Sequence, residues 1–517
     1  MTATALPKTR PRSPPTTAAL PERRGITVVF AGLMAGLLLS ELNETIFATA
    51  LPSVVGELRG VDHMLWVTTA YVLAGTIVMP VYGKLSDQVG RRGLFVTALV
   101  IFLAGSVVGG LSPSMGWLII GRAIQGLGAG GLLILVQAII ADLIPARQRA
   151  RYLSAMGAVF AVSAALGPVL GGWLTAGVGW RWAFWINLPL GALAITSALL
   201  FLRGPRQERA RVRLDVWGIT SMALAVTSVV LLTSWAGTRY AWTSPVVLTL
   251  AAAAIAAGLG FVLIERRAAQ PLIDLRLFGN RNFTLATVSG LITAVAMFGT
   301  IAYLPTYLQM VSGLNPMHSG LMMLALIAGL GSATVGSAQI VSRTGRYKWL
   351  PVIGSGVVAI ALVLLSTLTP GTDLRIIGVA LFVLGAGIGC GLQLLLLIVQ
   401  NSVPADRLGT ATAANDFFRE IGVSVGSAAV GALFTYRLGA LLRDRLSGSG
   451  AGLDTQALTP ELVQQLPDGL RTIVAAAYND ALTPVFLLLV PLLVVSMIGL
   501  AMIRPVPLAT TVEDPED

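Results

Sequence analysis

One cysteine, Cys390, stands in 517 residues, which excludes an internal disulfide and any metal site built on cysteine. The two histidines, His63 and His318, both fall in short loops between apolar runs, so a histidine-based metalloenzyme or intramembrane protease is not expected. Lysine occurs three times, at Lys8, Lys84 and Lys348, and never in Gly-Lys-Ser/Thr. That excludes a Walker A loop and with it an ATP-driven pump. Charged residues make up 11% of the chain, against roughly 25% in soluble domains. Hydrophobic residues reach 55%, and 57 glycines add to them. A disordered chain is excluded, a soluble globular one is disfavoured, and a polytopic α-helical membrane protein remains. No metal, cofactor or enzymatic activity is expected.

What is present is a series of apolar runs. Residues 1–25 are polar, with Pro, Thr and Arg, and read as a disordered tail. Arg23-Arg24 mimics a twin-arginine export signal, but the run that follows is too long for a signal peptide and contains Glu41 and Glu44. Stretches able to cross a bilayer recur at 26–51, 64–84, 93–111, 115–143, 152–176, 182–202, 215–236, 244–264, 283–311, 317–341, 349–369, 374–403, 408–436 and 481–503, fourteen in all. An even count places both termini on one side. Of the 35 lysines and arginines, twenty-five lie on that side, eight on the other, and Arg122 and Arg419 within spans. The positive-inside rule makes the tail side cytoplasmic. The net charge of +11 therefore marks topology, and no nucleic-acid partner is expected. The long external segment 437–480 begins with a flexible Ser447-Gly-Ser-Gly stretch and is expected to form a short amphipathic surface helix from Thr459 to Asp480.

The chain also echoes itself. Leu51-Pro52 returns as Leu304-Pro305, Gly90-Arg91 as Gly345-Arg346, and Gly126-Leu-Gly128 with Gln137 as Gly389-Cys-Gly391 with Gln400, at offsets of 253, 255 and 263. Such spacing equals eight spans and argues for a duplicated six-span bundle with an additional pair between the copies. Parallel repeats with a site at their interface are a secondary-transporter arrangement.

Four motifs carry a family resemblance. Gly83-Lys-Leu-Ser-Asp87-Gln-Val-Gly90-Arg91-Arg92 follows span 2, and Arg122-Ala-Ile-Gln125-Gly126-Leu-Gly128 lies in span 4. Gly167-Pro168-Val-Leu-Gly171-Gly172 lies in span 5, and Trp180-Arg181-Trp182-Ala-Phe-Trp-Ile-Asn187-Leu-Pro189 enters span 6. Together they resemble the major facilitator superfamily, specifically its fourteen-span drug:proton antiporters. The resemblance implies an all-α polytopic membrane protein of that fold, with two six-helix bundles and two additional central helices. Its expected parts are a cytoplasmic tail at 1–25, an N-terminal bundle at 26–203, the extra pair at 214–265, a C-terminal bundle at 283–503 that includes the external loop 437–480, and a tail at 504–517. It also implies a cytoplasmic gate at Gly83, Asp87, Gly90, Arg91 and Arg92, and an antiporter motif at Gly167, Pro168, Gly171 and Gly172. Gly167, Gly171 and Gly172 would let a neighbouring backbone approach while Pro168 bends the helix; that packing would also seal the external side.

Glu41, Glu44, Arg122, Asp416, Arg419 and Glu420 lie within spans, where a charge costs at least ~2.5–3.5 kcal/mol and normally faces a cavity with a partner. Glu41 and Glu44 share one helix face, as do Asp416 and Glu420. A carboxylate there can exchange its proton for a cationic or polar substrate. The segment Leu42-Asn43-Glu44-Thr45-Ile46 resembles the family's span 1 motif but carries Asn43 where an aspartate is expected, so Glu44, or Glu41 one turn away, is expected to take the proton. Arg122 either joins that coupling or only organises the fold, and Asp416 suits a gate contact as well as a proton site. The expected substrate cavity includes Glu41, Asn43, Glu44, Gln125, Asn415 and Arg419.

The leading reading is a proton-coupled antiporter that exports amphipathic, including cationic, drugs across a bacterial cytoplasmic membrane. Its partners would be a small-molecule substrate, protons and the lipid bilayer, with a monomer as the family default. A dedicated exporter of one endogenous metabolite or lipid would protect against one compound only. A non-transporting sensor or scaffold would have no need of intramembrane acids in both halves.

Overall fold

The computed structural model describes residues 23–60, 63–202, 215–237, 239–446 and 460–510. In an apolar solvent each segment must satisfy its own backbone, and a helix does so within the segment. Among the described residues fourteen helical segments are long and apolar enough to span a bilayer, in the number and order read from the sequence. In chain order the helices are α1 (Arg23–Leu58), α2 (Met64–Val89), α3 (Arg91–Gly110), α4 (Met115–Leu143), α5 (Ala146–Ala176), α6 (Trp182–Trp185), α7 (Asn187–Phe201), α8 (Val216–Trp235) and α9 (Pro245–Arg267). They continue as α10 (Arg281–Ile301), α11 (Leu304–Met310), α12 (Pro316–Thr344), α13 (Trp349–Ser366), α14 (Leu374–Gln400), α15 (Leu408–Leu446), α16 (Pro460–Gln464) and α17 (Asp468–Ala501). The pairs α6–α7 and α10–α11 each make one span. Among the described residues the only extended pairing is an isolated bridge from Ala236 to Tyr240.

Local sequence sets the helix ends. Gly90, at φ +95°, lets α2 stop at Val89 and α3 start at Arg91 with one residue between them. The Asn280 side chain accepts from the amides of Asn282 and Phe283 to open α10, and Asn315 does the same for His318 ahead of Pro316 in α12.

The packing repeats. α1 lies on α5 and α7, and α4 is flanked by α2 and α3; likewise α10 lies on α15 and α17, and α14 is flanked by α12 and α13. Glycines make these contacts close. A methyl group at Gly126 or Gly130 of α4 would run into the α2 backbone, and one at Gly385 or Gly389 of α14 would meet that of α12. The two sets meet chiefly through α2 on α15 and α5 on α12, while α8 touches both α2 and α15. Lys84, Arg91, Arg92, Arg147, Arg266, Arg343 and Arg407 gather at one end of the bundle, termed here the basic end.

The segment 437–480 differs from expectation. α15 runs on to Leu446 and α17 begins at Asp468, so the two spans project as long helices, and the expected surface helix is broken between α16 and Pro467. Arg437 donates to the Asp480 carbonyl at 3.1 Å and Arg445 to its carboxylate at 2.5 Å, tying the projections together. The Ser447 stretch, most of the 1–25 tail and the acidic C-terminus lie outside the described residues.

Candidate functional site

Arg122 of α4 is wholly buried near the middle of the first helix set. Its Nη1 donates to the Asn43 Oδ1 of α1 and to the Gln125 Oε1 at 3.1 Å, and its Nε to the Val67 carbonyl at 3.4 Å. The guanidinium stacks on Tyr71 at 4.1 Å and on Phe47 at 4.7 Å. The polar chain continues from Gln125 to Ser106 at 2.8 Å and from Asn187 to Ser106 at 3.2 Å. No carboxylate pairs with Arg122 among the described residues; two side-chain amides, a backbone carbonyl and two aromatic faces surround it. Asn43 is held by this network and turned away from the glutamates beside it. Of the expected cavity residues, Asn43 and Gln125 are therefore buried in helix packing, at 1% and 0% exposure.

Glu41 and Glu44 are only half-buried although they lie midway along α1. Glu41 is within electrostatic reach of Glu44 and of Glu420 and Arg419 from α15. Glu44 also feels Arg122 and Glu420. On α15, Arg419 stands between two acids: it pairs with Asp416 at 3.4 Å and with Glu420 at 3.3 Å. Arg419 and Glu420 keep 17% and 24% side-chain exposure, whereas Asp416 has none. Asn415 donates to Asp416 at 3.3 Å, and the second Asp416 oxygen has no partner. Thus α1 and α15 bring Glu41, Glu44, Arg419 and Glu420 into one partly exposed electrostatic group. Asp416 sits behind it, sealed, and among the described residues its hydrogen bond and ion pair go to Asn415 and Arg419 of its own helix.

That closure is built on the α2–α3 turn. The Asp87 carboxylate accepts from the amides of Gly409 and Thr410 and from the Thr410 hydroxyl, each at 2.8 Å. It therefore caps the first turn of α15, where a negative charge is most favoured. Arg91 pairs with Asp87 at 3.3 Å and also with Asp142, and donates to the Ala138 carbonyl at 2.7 Å. Gly83 lets α2 approach Gly409 and Ala413 so closely that any side chain would collide. Arg92 stands apart from the closure and donates to the Leu199 carbonyl within its own helix set at 2.5 Å.

The antiporter motif divides. Gly167 and Gly171 pack against Thr45, Thr49 and Ile46 of α1, and the Thr45 hydroxyl donates to the Ser163 carbonyl at 2.9 Å. Pro168 and Gly172 point elsewhere: both are exposed, and nothing lies within 4 Å of a Cβ at Gly172. The expectation that Gly172 shares the packed face fails because it is one residue on from Gly171, about 100° around the helix.

Several contacts had no signal in the sequence. Gln400 donates to the Gln137 carbonyl at 3.4 Å and accepts from Arg149 at 3.5 Å, so the two echoed glutamines meet across the helix sets. Arg147 of α5 donates to the carbonyls of Ser342 at 3.3 Å and Arg343 at 2.8 Å, at the end of α12. The segment after α17 crosses the same end: Val506 bonds with Tyr347 of the second set, and the Ala509 carbonyl accepts from the Arg147 amide at 3.1 Å. At the opposite end Glu57 accepts from the Trp180 indole at 2.7 Å and from Arg181 at 2.5 Å, which holds its carboxyl below the ordinary value. There, a cavity of about 350 Å³ separates α2, α8 and α15, lined by hydroxyls such as Thr68, Thr233 and Ser427.

Two repeated six-span packings that face one another across α1 and α15, closed at one end by an aspartate on a helix N-terminus, describe a helical membrane carrier. The model of the Major Facilitator Superfamily matches residues 33–427, and the chain belongs to that family. It is 40% identical over 498 residues to an uncharacterised MFS-type transporter of Mycobacterium tuberculosis, covering 96% of this chain and 72% of that one. It is 33% identical to the multidrug transporter protein MdtP of Bacillus subtilis, covering 89% and 87%, and 31% identical to multidrug resistance protein 3 of the same organism, covering 91% and 93%. Among solved structures, the human organic anion transporter MFSD10 superposes with a TM-score of 0.59 at 16% identity, covering 90% of this chain and 99% of that one. The proton:xylose symporter XylE gives 0.54 at 14% identity, covering 89% and 95%.

Proposed function

We propose that this transporter exports amphipathic, including cationic, compounds in exchange for protons, and that Glu41 and Glu44 are where proton and substrate compete. The observation that carries the reading is the pair's position: mid-span, half-buried, facing a mixed-charge group on α15, and with no hydrogen bond to the Arg122 that engages their neighbour Asn43. Two acids in an apolar bundle repel each other when both are ionised, so one proton or one cation relieves the pair. Kinship with two multidrug transporters supports a broad substrate range.

In this reading the basic end is cytoplasmic, as are both termini, and the membrane is a bacterial cytoplasmic one. The arrangement described is then closed to the cytoplasm by Asp87 on α15 and parted on the external side around the cavity between α2 and α15. Protons enter from outside, and their release inward accompanies reopening of the Asp87 contact. Drug uptake into inside-out proteoliposomes, driven by an imposed pH gradient, tests the proposal. Glu41→Gln/Glu44→Gln should abolish gradient-driven uptake while leaving folded protein in the membrane; undiminished coupling in that variant removes the assignment.

A further inference from the structure

At the basic end, α2, α9, the 268–279 linker and the turn before α15 surround a cleft of about 820 Å³. Four acids and four bases line it, and they are engaged differently. Asp87 is taken up by the first amides of α15. Glu265, buried in the last turn of α9, accepts from the amides of Leu272 at 3.1 Å and Ile273 at 3.3 Å and so folds the linker back. Asp274 pairs with Arg407 at 2.8 Å, and Asp406, mostly exposed, lies 3.9 Å from the same guanidinium. Lys84, Arg266 and Arg276 are different: among the described residues none of these three side chains has an ion pair or hydrogen bond, and Lys84 has only the longer-range field of Glu265. Three of the four acids have their donors already, and among the described residues three cationic groups are left with donors and no acceptor.

We propose that this cleft binds a phosphate-bearing anion, held by Lys84, Arg266 and Arg276. An ionised phosphate brings acceptors only, suits bidentate arginine and accepts a lysine as a point charge. The cleft is many times the ~30 Å³ that one water occupies, so a phosphoglycerol group fits. Its position at the membrane surface admits two sources of that chemistry, an anionic lipid headgroup or a soluble phosphate ester. Either would bridge Lys84 of α2 to the linker, which Asp274 fastens to Arg407 beside α15, and would strengthen the closed basic end. The proposal does not depend on what the protein exports.

The test is saturation binding of labelled dioleoylphosphatidylglycerol to the purified full chain in detergent, with dioleoylphosphatidylcholine as the neutral comparison. A basic residue near a membrane surface contributes about a fivefold factor, so Lys84→Gln/Arg266→Gln/Arg276→Gln should weaken phosphatidylglycerol binding on the order of a hundredfold. A control with the same charge change elsewhere at that end, Arg151→Gln/Arg343→Gln/Arg346→Gln, should keep the tight component, as should Lys84→Arg. Competition by glycerol 3-phosphate assigns the site to soluble esters, and its failure assigns it to the lipid; both support the site. Binding by the cleft variant that equals the control's, or no preference over phosphatidylcholine in the wild type, overturns it. Matching size-exclusion profiles establish that each variant is folded.

Discussion

At the residue scale the instructive position is Asn43. Family resemblance leads one to expect an aspartate there, and the structure puts the asparagine carbonyl against a fully buried guanidinium that has no carboxylate partner among the described residues. Removing that acceptor leaves Arg122 charged and underbonded in the helix packing. Asn43→Leu should therefore lower stability by about 3 kcal/mol or more, seen as early thermal unfolding in detergent, whereas Asn43→Asp should fold because it supplies both acceptor and countercharge. Equal stability of the Leu and Asp variants would contradict this account of Arg122. Glu57 offers a pH test. Arg181 and Trp180 hold its carboxyl below the ordinary value of 4.5, so the ionised form is favoured in the fold. The stabilisation is then full above the unfolded value and is lost as pH falls through the lower, folded one. Glu57→Gln should melt earlier than wild type at pH 7, with the difference shrinking as acidification passes below the unfolded value; a difference that does not shrink would contradict the clamp.

Helices and turns decide how the residues act. Asp87 lies 322 positions before Gly409 in the chain, and only the approach of α2 to α15, made possible by Gly83, turns a carboxylate into a helix cap. Loss of that charge removes bonds to a charged group, each worth about 1.5–3 kcal/mol, enough to shift the open–closed balance about tenfold. In a Cys390→Ser background, Leu408→Cys, buried against Ala138 and Ala141 of α4, should react with a membrane-impermeant thiol reagent about tenfold faster once Asp87→Asn is added. No change in rate would mean that the cap does not hold the closed state. In α5 the glycines separate by face. Gly167→Leu should abolish stable expression because Thr45 occupies the space, while Gly172→Ala should alter stability by less than about 0.5 kcal/mol. The sequence made the spans legible because apolar length is nearly the whole requirement for crossing a bilayer. It left Thr459–Asp480 misread, since an amphipathic pattern does not say whether a helix lies on the surface or continues a span, and Asp480 is claimed by Arg437 and Arg445.

For the whole molecule, the repeat legible in three short echoes reappears as matched helix packing, and Gly126 and Gly389 of those echoes each bring their helix against a neighbour's backbone. The clustering of charges was legible only in part. Spacing placed Glu41 with Glu44 and Asp416 with Glu420, but no pattern in one chain says that α1 faces α15, that Asp416 is sealed behind Arg419, or that Asn43 belongs to the packing rather than to the cavity. Arg147, Arg149 and the segment around Val506 were invisible for the same reason: the two arginines donate to backbone carbonyls and the segment offers its own backbone groups, which leave no mark in residue type. These ties all lie at the basic end, whereas the hydroxyl-lined cavity between α2, α8 and α15 lies at the opposite one.

The most direct measurement is proton release from the purified transporter when a cationic drug is added, recorded over a range of pH for wild type and for Glu41→Gln/Glu44→Gln. Competition at the glutamate pair predicts that substrate displaces protons from the wild type, that the yield falls once the pair is already ionised at high pH, and that the double variant releases none. Substrate binding without proton release in the wild type, or undiminished release from the double variant, would contradict it.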